Sequence, residues 1–266
     1  MSTEHFMIYR VSSGTDPGLR KTLNEDSFWL CSDKQIDPEV LDGLGSVYAV
    51  ADGVSGKEGG ELASGIAINT FGMYYVLPHV AIPPEDRLRN VFLEAHRRIE
   101  EYAELHPHYR GMGTTLTAAV LKGNMLYYGH VGDSRLYLIR SGSRSIQQLS
   151  KDHTLVNKFI EEGKLTTEEA AQEDSNVLSQ ALGAVPKIHV ETGEYGPLEA
   201  GDLLLLCSDG LSDLVADAKI RDIILGSPGL DDACRRLIAK ANQNGGQDNI
   251  TVVLIAAETK TQGEKV

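Results

Sequence analysis

Three cysteines in 266 residues, Cys31, Cys207 and Cys234, leave no basis for a disulfide framework. Their odd number and wide spacing also lack the paired pattern of a zinc site or redox motif, so they read as reduced, buried thiols. Long apolar runs are missing too. Stretches such as Leu203 to Cys207 are far too short to span a bilayer, and Met1 to Arg10 carries Glu4 and no apolar core of signal-peptide length. A cytoplasmic location is the expectation. Basic charge is scarce: 25 Lys and Arg against 38 Asp and Glu give a net charge of -13, which argues against nucleic acid or an anionic membrane as a partner. Repeats, low-complexity tracts and a Pro/Gly/Ser-rich linker are absent, and a 41% hydrophobic content suffices for a substantial core. The chain therefore reads as a single domain over residues 1–257, with 258–266 as a loose tail.

What is present is a set of short runs rich in β-formers: Phe6 to Val11, Ser27 to Cys31, Val47 to Ala51, Thr115 to Leu121, Leu126 to Val131, Leu136 to Arg140, Leu203 to Cys207 and Ile250 to Ala256. Gly123-Asn124 and Gly132-Asp133-Ser134 separate neighbouring runs by too few residues for a parallel crossover, so those strands pair antiparallel. Helical periodicity fits Glu61 to Val76, Pro84 to Leu105, Leu155 to Glu162, Thr167 to Gln172, Ala218 to Leu225 and Leu230 to Asn244. Because most strands are apolar along their whole length, both sheet faces need cover, which predicts layered antiparallel sheets with helices outside.

The acids stand at strand ends. Val47 to Ala51 runs into Asp52-Gly53, and Leu203 to Ser208 runs into Asp209-Gly210; Asp133 follows Val131, Asp248 precedes Ile250, and Glu25-Asp26 precedes Ser27. Any one Asp-Gly is ordinary turn chemistry, since Asp caps turns and Gly accepts positive φ. The set is different. Asp52 and Asp209 follow long apolar stretches with no nearby cation in sequence, and converging carboxylates need compensating positive charge. Hard divalent ions with oxygen ligands supply it, and the lack of Cys-His spacing disfavours zinc, which leaves Mg²⁺ or Mn²⁺. The Gly53 carbonyl, with no side chain beside it, can approach a metal. Two ions about 3.5–4 Å apart can hold a bridging hydroxide against a phosphoryl group, a suitable device for phosphate esters, whose hydrolysis needs rate factors of up to about 10²¹.

In chain order, Asn24-Glu25-Asp26, Asp52-Gly53-Val54-Ser55-Gly56, Gly113-Thr114-Thr115, Gly132-Asp133-Ser134-Arg135, Ser208-Asp209-Gly210-Leu211-Ser212-Asp213 and Gly246-Gln247-Asp248-Asn249 resemble the metal-dependent type 2C serine/threonine protein phosphatases in their bacterial form. Lys151-Asp152-His153-Thr154 and Ser179-Gln180-Ala181-Leu182-Gly183 also look like the bacterial members. The resemblance implies an α+β fold, a four-layer α-β-β-α sandwich of two antiparallel sheets flanked by helices, and hydrolysis of phosphoserine and phosphothreonine in proteins. It implies Mn²⁺ or Mg²⁺, two ions in a core site and a weaker third. By matching position, Asp52 bridges the two ions, Asp209 and Asp248 complete the first site, and the Gly53 carbonyl and Glu25, through water, serve the second. Asp133, with Asp209 and Asp213, matches the third site. Asp26 and Asn249 support the ligands from behind, and His153 to Asn176 matches a flap beside the cleft. Phosphorylated proteins are the implied partners, with a cognate serine/threonine kinase left open.

Two positions depart from the pattern. Relatives grip the substrate phosphate with an arginine where this chain has Lys21, next to Arg20, so either residue is the expected anchor, lysine without the bidentate fork. Val54 and Lys57 stand where other members have histidine, so no general acid is identified. Gly56-Lys57-Glu58-Gly59-Gly60 lacks P-loop spacing and reads as a turn opening a helix; Ser55 is not in a nucleophile elbow; His106 and His108 flank Pro107 in a solvated loop; Ser134 and Arg135 brace a turn. Two other functions share these features: a catalytically weak regulatory module of the same fold, and a two-metal phosphodiesterase or nuclease, which the acidity disfavours.

Overall fold

The strands that are apolar on both faces are covered on both, and period-two alternation sorts their side chains between two cores. The computed structural model describes residues 5–31, 43–54, 58–76, 82–170 and 177–261. The strands are β1 (His5–Asp16), β2 (Ser27–Leu30), β3 (Ser46–Ala51), β4 (Leu116–Lys122), β5 (Met125–Val131), β6 (Arg135–Arg140), β7 (Ser145–Gln148), β8 (Glu191–Tyr195), β9 (Leu203–Cys207) and β10 (Ile250–Thr261). They form two five-stranded antiparallel sheets, ordered β1-β10-β9-β6-β7 and β2-β3-β4-β5-β8. In β9, Leu204 and Leu206 join the core shared by the sheets, while Leu205 and Cys207 join the core under the helices on the other face. β6 divides the same way, with Leu136 and Leu138 on one side and Tyr137 and Ile139 on the other.

The helices are α1 (Gly60–Val76), α2 (Pro84–Leu105), α3 (Leu155–Glu161), α4 (Thr167–Ala170), α5 (Asp209–Ser212), α6 (Asp217–Leu225) and α7 (Leu230–Gln243). Pro84 opens α2 in the first turn, where a missing N–H costs nothing, with Glu85 and Asp86 favourably placed at the positive end. Its buried stripe, Leu88, Val91, Phe92, Ala95 and Ile99, has the spacing of one helix face. α1 and α2 cover the β2–β8 sheet, whereas α7 packs on β1 and β10 and α6 on β7. The result is the four-layer α-β-β-α sandwich.

Three elements differ from the sequence expectation. β7 and β8 are polar segments, Ser-Ile-Gln-Gln and Glu-Thr-Gly-Glu-Tyr, each at one edge of its sheet. An edge strand needs partners on one side only and little apolar surface, so hydrophobic patterning does not mark it. α5 is a single turn built on the Asp209 motif itself. The tail expected from Glu258 is also corrected: β10 continues to Thr261, with Phe6 opposite Lys260 and Ile8 opposite Glu258 in β1. Residues 262–266, Ser55 and Lys57, and the stretch 171–176 of the expected flap and of the helix expected to reach Gln172, lie outside the described residues.

Candidate metal centre

Antiparallel pairing alone gathers the acids at one end of the sandwich, because the start of each strand lies beside the end of its neighbour. In one sheet Ser27 of β2 pairs with Ala51 of β3, which sets Glu25-Asp26 against Asp52. In the other, Asp16 pairs with Ile250, Val252 with Cys207 and Cys207 with Arg135, bringing Asp248, Asp209 and Asp133 to the same edge. Asp52, Asp133, Asp209 and Asp248 line one cleft of about 510 Å³, together with Val54, Thr115, Val177, Leu178, Ala181, Ala184 and Val185.

Backbone bonds hold each acid in place. The Asp52 carbonyl accepts from the Thr115 N–H at 2.9 Å and the Thr114 hydroxyl at 2.8 Å, while the Asp52 N–H donates to Thr115 Oγ1 at 2.9 Å. Thr115 Oγ1 lies 2.8 Å from Ser134 Oγ, so the Asp52 and Asp133 turns share a hydroxyl bridge. The Gly53 N–H donates to the Glu25 carbonyl at 3.2 Å. A Cβ on Gly53 would stand 2.4 Å from the Gly60 carbonyl oxygen, and one on Gly210 would stand 2.0 Å from that of Asn249. Both Asp-Gly glycines are therefore required by close backbone approach, although neither φ is positive. Asn249, buried, accepts from the Glu25 N–H at 2.8 Å and donates to the carbonyls of Pro17 and Leu23 at 3.0 Å. It thereby fixes Glu25 and the loop that carries Lys21.

Electrostatically the cluster is frustrated. Withdrawal from water pushes the Asp52 carboxyl well above its ordinary range, and the charges of Asp26, Asp209, Asp133 and Asp248 add to it. Asp209 is raised likewise, by desolvation and then by Asp133, Asp213 and Asp248. Desolvation first, then Asp152 and Asp213, lift Asp133 to about 7. Asp26 is pushed up to about 6 by burial, against the hydroxyls of Ser208 (2.8 Å) and Thr251 that hold it. Asp26 Oδ1 and Asp209 Oδ1 are buried with no hydrogen-bond donor.

This donor set fits hard divalent cations: the polar groups of the cleft are carboxylates and a hydroxyl, with no imidazole or thiol among its lining residues. Among the described residues the side chains are not drawn into a closed group of three or more His, Cys, Asp or Glu ligands. Asp213 is exposed and shares a smaller recess of about 60 Å³ with Asp209 and Asp248.

The missing cation of the sequence is present in space. Lys21 Nζ lies 2.8 Å from Asp248 Oδ1 and also feels Glu25 and Asp52, whereas Arg20 next to it is exposed. Arg135 forks onto Asp152 through Nε and a terminal nitrogen at 2.7–3.1 Å and donates to the Tyr137 hydroxyl at 3.0 Å, the bracing role expected of it. Exposed His108 pairs with Glu58, and His106 stacks on Tyr102, so neither approaches the cleft acids. Sequence reading assigned no role to Ser208, Thr251 or Asp152. Only Ser208 and Asp152 carried a signal, through the motifs that contain them.

The family described as Protein phosphatase 2C matches residues 20–254. Protein phosphatase PhpP of Streptococcus pneumoniae is 36% identical over 252 residues, 92% of this chain and 96% of that protein. The crystal structure of the Mycobacterium tuberculosis serine/threonine phosphatase PstP/Ppp aligns with a TM-score of 0.80 at 33% identity, covering 94% of this chain and 99% of that one. The catalytic domain of serine threonine protein phosphatase PstP in complex with two manganese ions gives 0.78 at 33% identity, with 95% and 99% covered. The chain belongs to the protein phosphatase 2C family and is a serine/threonine phosphatase of that type.

Proposed function

We propose that this protein hydrolyses phosphoserine and phosphothreonine esters in proteins with two divalent ions, Mn²⁺ or Mg²⁺, in the acid cleft. The observation that carries the reading is the convergence of Asp52, Asp133, Asp209 and Asp248 on one cleft with Asp209 Oδ1 left without a donor. Asp52, the Gly53 carbonyl, Asp209, Asp248 and Glu25 would hold the two ions, and Asp133 with Asp209 and Asp213 a weaker third. The manganese complex of a structural relative supports the ion class. When bound, such ions neutralise the carboxylates, polarise a phosphoryl oxygen and lower the pKa of water.

The chain's own residues do the rest. Thr115 and Ser134 fix the Asp52 and Asp133 turns, and Asn249 fixes Glu25 from behind, so the acids need little reorganisation during turnover. Lys21 would meet the substrate phosphate as a point charge, and its 2.8 Å contact with the cleft residue Asp248 supports it over the exposed Arg20 as the anchor. Val54 lines the cleft and cannot donate a proton, so the leaving alcohol takes its proton from another group. The substrates are products of protein serine/threonine kinases. Among the described residues no helix is long and apolar enough to cross a membrane.

The test is release of phosphate from a phosphothreonine peptide by purified protein. Turnover with Mn²⁺, its loss in EDTA and its recovery on adding Mn²⁺ back are expected. Full activity in EDTA, or hydrolysis of DNA and bis-esters in preference to the phosphopeptide, contradicts the proposal.

A further inference from the structure

Part of the acid cleft is lined by apolar side chains whose backbone is hydrogen-bonded in place. Val177, Leu178, Ala181, Ala184 and Val185 line it together with the carboxylates, and Val54 lines it from the Asp52 turn. Val177 is 48% exposed, although its backbone is tied down: the Leu155 N–H donates to its carbonyl at 2.8 Å, and Leu178 bridges Thr154 at the N-cap of α3. The 181–185 turn is pinned in the same manner. Leu182 exchanges both backbone bonds with Thr114 at 2.9 and 3.1 Å, and the Gly183 N–H donates to His96 Nδ1 at 2.9 Å. Thr114 in turn holds the Asp52 carbonyl, so the apolar wall and the metal-binding turn are parts of one hydrogen-bonded frame.

Val177, 48% exposed, with Leu178 and Val185 beside it on the cleft lining, presents aliphatic surface in the same space as the carboxylates. Small-molecule and peptide sites commonly pair an apolar wall with a few polar groups that fix orientation. Resting on the phosphatase reading, we infer that this wall is a specificity subsite that takes an apolar side chain of the substrate directly next to the phosphorylated residue. The occupant follows from position and chemistry. A phosphate drawn to the acid side by its cations leaves the adjoining side chain within reach of Val177, Leu178 and Val185. An uncharged aliphatic group buries surface there, whereas a polar group of equal size loses hydration without gaining a partner.

The experiment compares kcat/KM for matched phosphothreonine peptides carrying Leu or Asn at the residue before and, separately, after the phosphothreonine. The wild-type protein is expected to favour Leu by about tenfold at one of the two positions, the discrimination an apolar pocket gives for a few methylene groups. Val177→Asn and Val185→Asn are expected to bring that ratio towards one, and Val177→Ile to keep it. The ratio is the readout because a purely structural defect lowers both rates together. A wild-type ratio near one at both positions overturns the inference while leaving the phosphatase reading intact, as does an unchanged ratio in both asparagine variants. Failure to release phosphate from any peptide strikes the phosphatase reading itself.

Discussion

Strand β9 is bracketed by two aspartates whose surroundings are opposite. Asp202, before its first residue, is buried, ion-paired with Arg140 and accepts from the Glu199 N–H at 2.7 Å, so its carboxylate is satisfied by the chain. Asp209, after its last residue, has an oxygen with no donor and carboxylates as its charged neighbours. The same contrast separates the two ends of the sandwich. At the Asp202 end, the Gly123-Asn124 turn caps a hairpin, and the exposed Ser141–Arg144 turn links β6 to β7. At the other end the turns carry Asp52, Asp133, Asp209 and Asp248. Asp202 is thus satisfied by a cation and a backbone donor, whereas Asp209 is left among other acids, with one oxygen free for a ligand of positive charge.

Breaking the contrast at its strongest point, Asp209→Asn is expected to lower kcat/KM by about 10²–10⁴-fold, the equivalent of several kcal/mol of lost metal assistance. Asp202→Asn should leave kcat/KM little changed and instead lower stability by about 1–3 kcal/mol in urea titration, since Arg140 loses its partner. Next in size, Ser208→Ala removes the hydroxyl that donates to Asp26 and accepts from the Thr251 N–H. Its expected effect is a drop in Mn²⁺ affinity of about 10–100-fold, read by calorimetry. Lys21→Ala is expected to raise KM for a phosphopeptide about tenfold, the loss of one charge-assisted bond, with Arg20→Ala near wild type. Equal kinetics for the two variants would discard Lys21 as the anchor.

The smallest effect sharpens the electrostatic side. Asp133, near 7, and Asp26, near 6, bind protons in the folded chain at pH values where the unfolded chain, near its ordinary value of about 3.9, does not. Stability therefore rises as pH falls through that window. In chelator, the urea midpoint is expected to increase from about pH 7.5 to pH 5. With saturating Mn²⁺ the trend should reverse, because protons then compete with the ions.

Much of this was legible in the sequence because one physical constraint wrote it. A strand covered on both faces is apolar along its length, and an Asp-Gly directly after it stands out, so Asp52 and Asp209 were found with their strands. β7 and β8 left no such trace, since an edge strand can be polar. Nor did the hydroxyl support: Thr251 is a β-branched residue in a strand, and nothing in its neighbours says that it holds Asp26. The ion pair of Lys21 with Asp248 joins opposite ends of the chain and depends on tertiary register. The extension of β10 to Thr261 was hidden for a related reason, because its last residues are polar and are held by pairing with β1.

The central claim is that the converging acids at one end of the sandwich, Asp209 first among them, hold divalent ions. Calorimetric titration of Mn²⁺ into chelator-stripped protein, with wild type, Asp209→Asn and Asp202→Asn side by side, tests it most directly. The account predicts about two equivalents bound by wild type and by Asp202→Asn, with a marked loss of affinity in Asp209→Asn. Equal binding by all three proteins, or none by wild type, would contradict it.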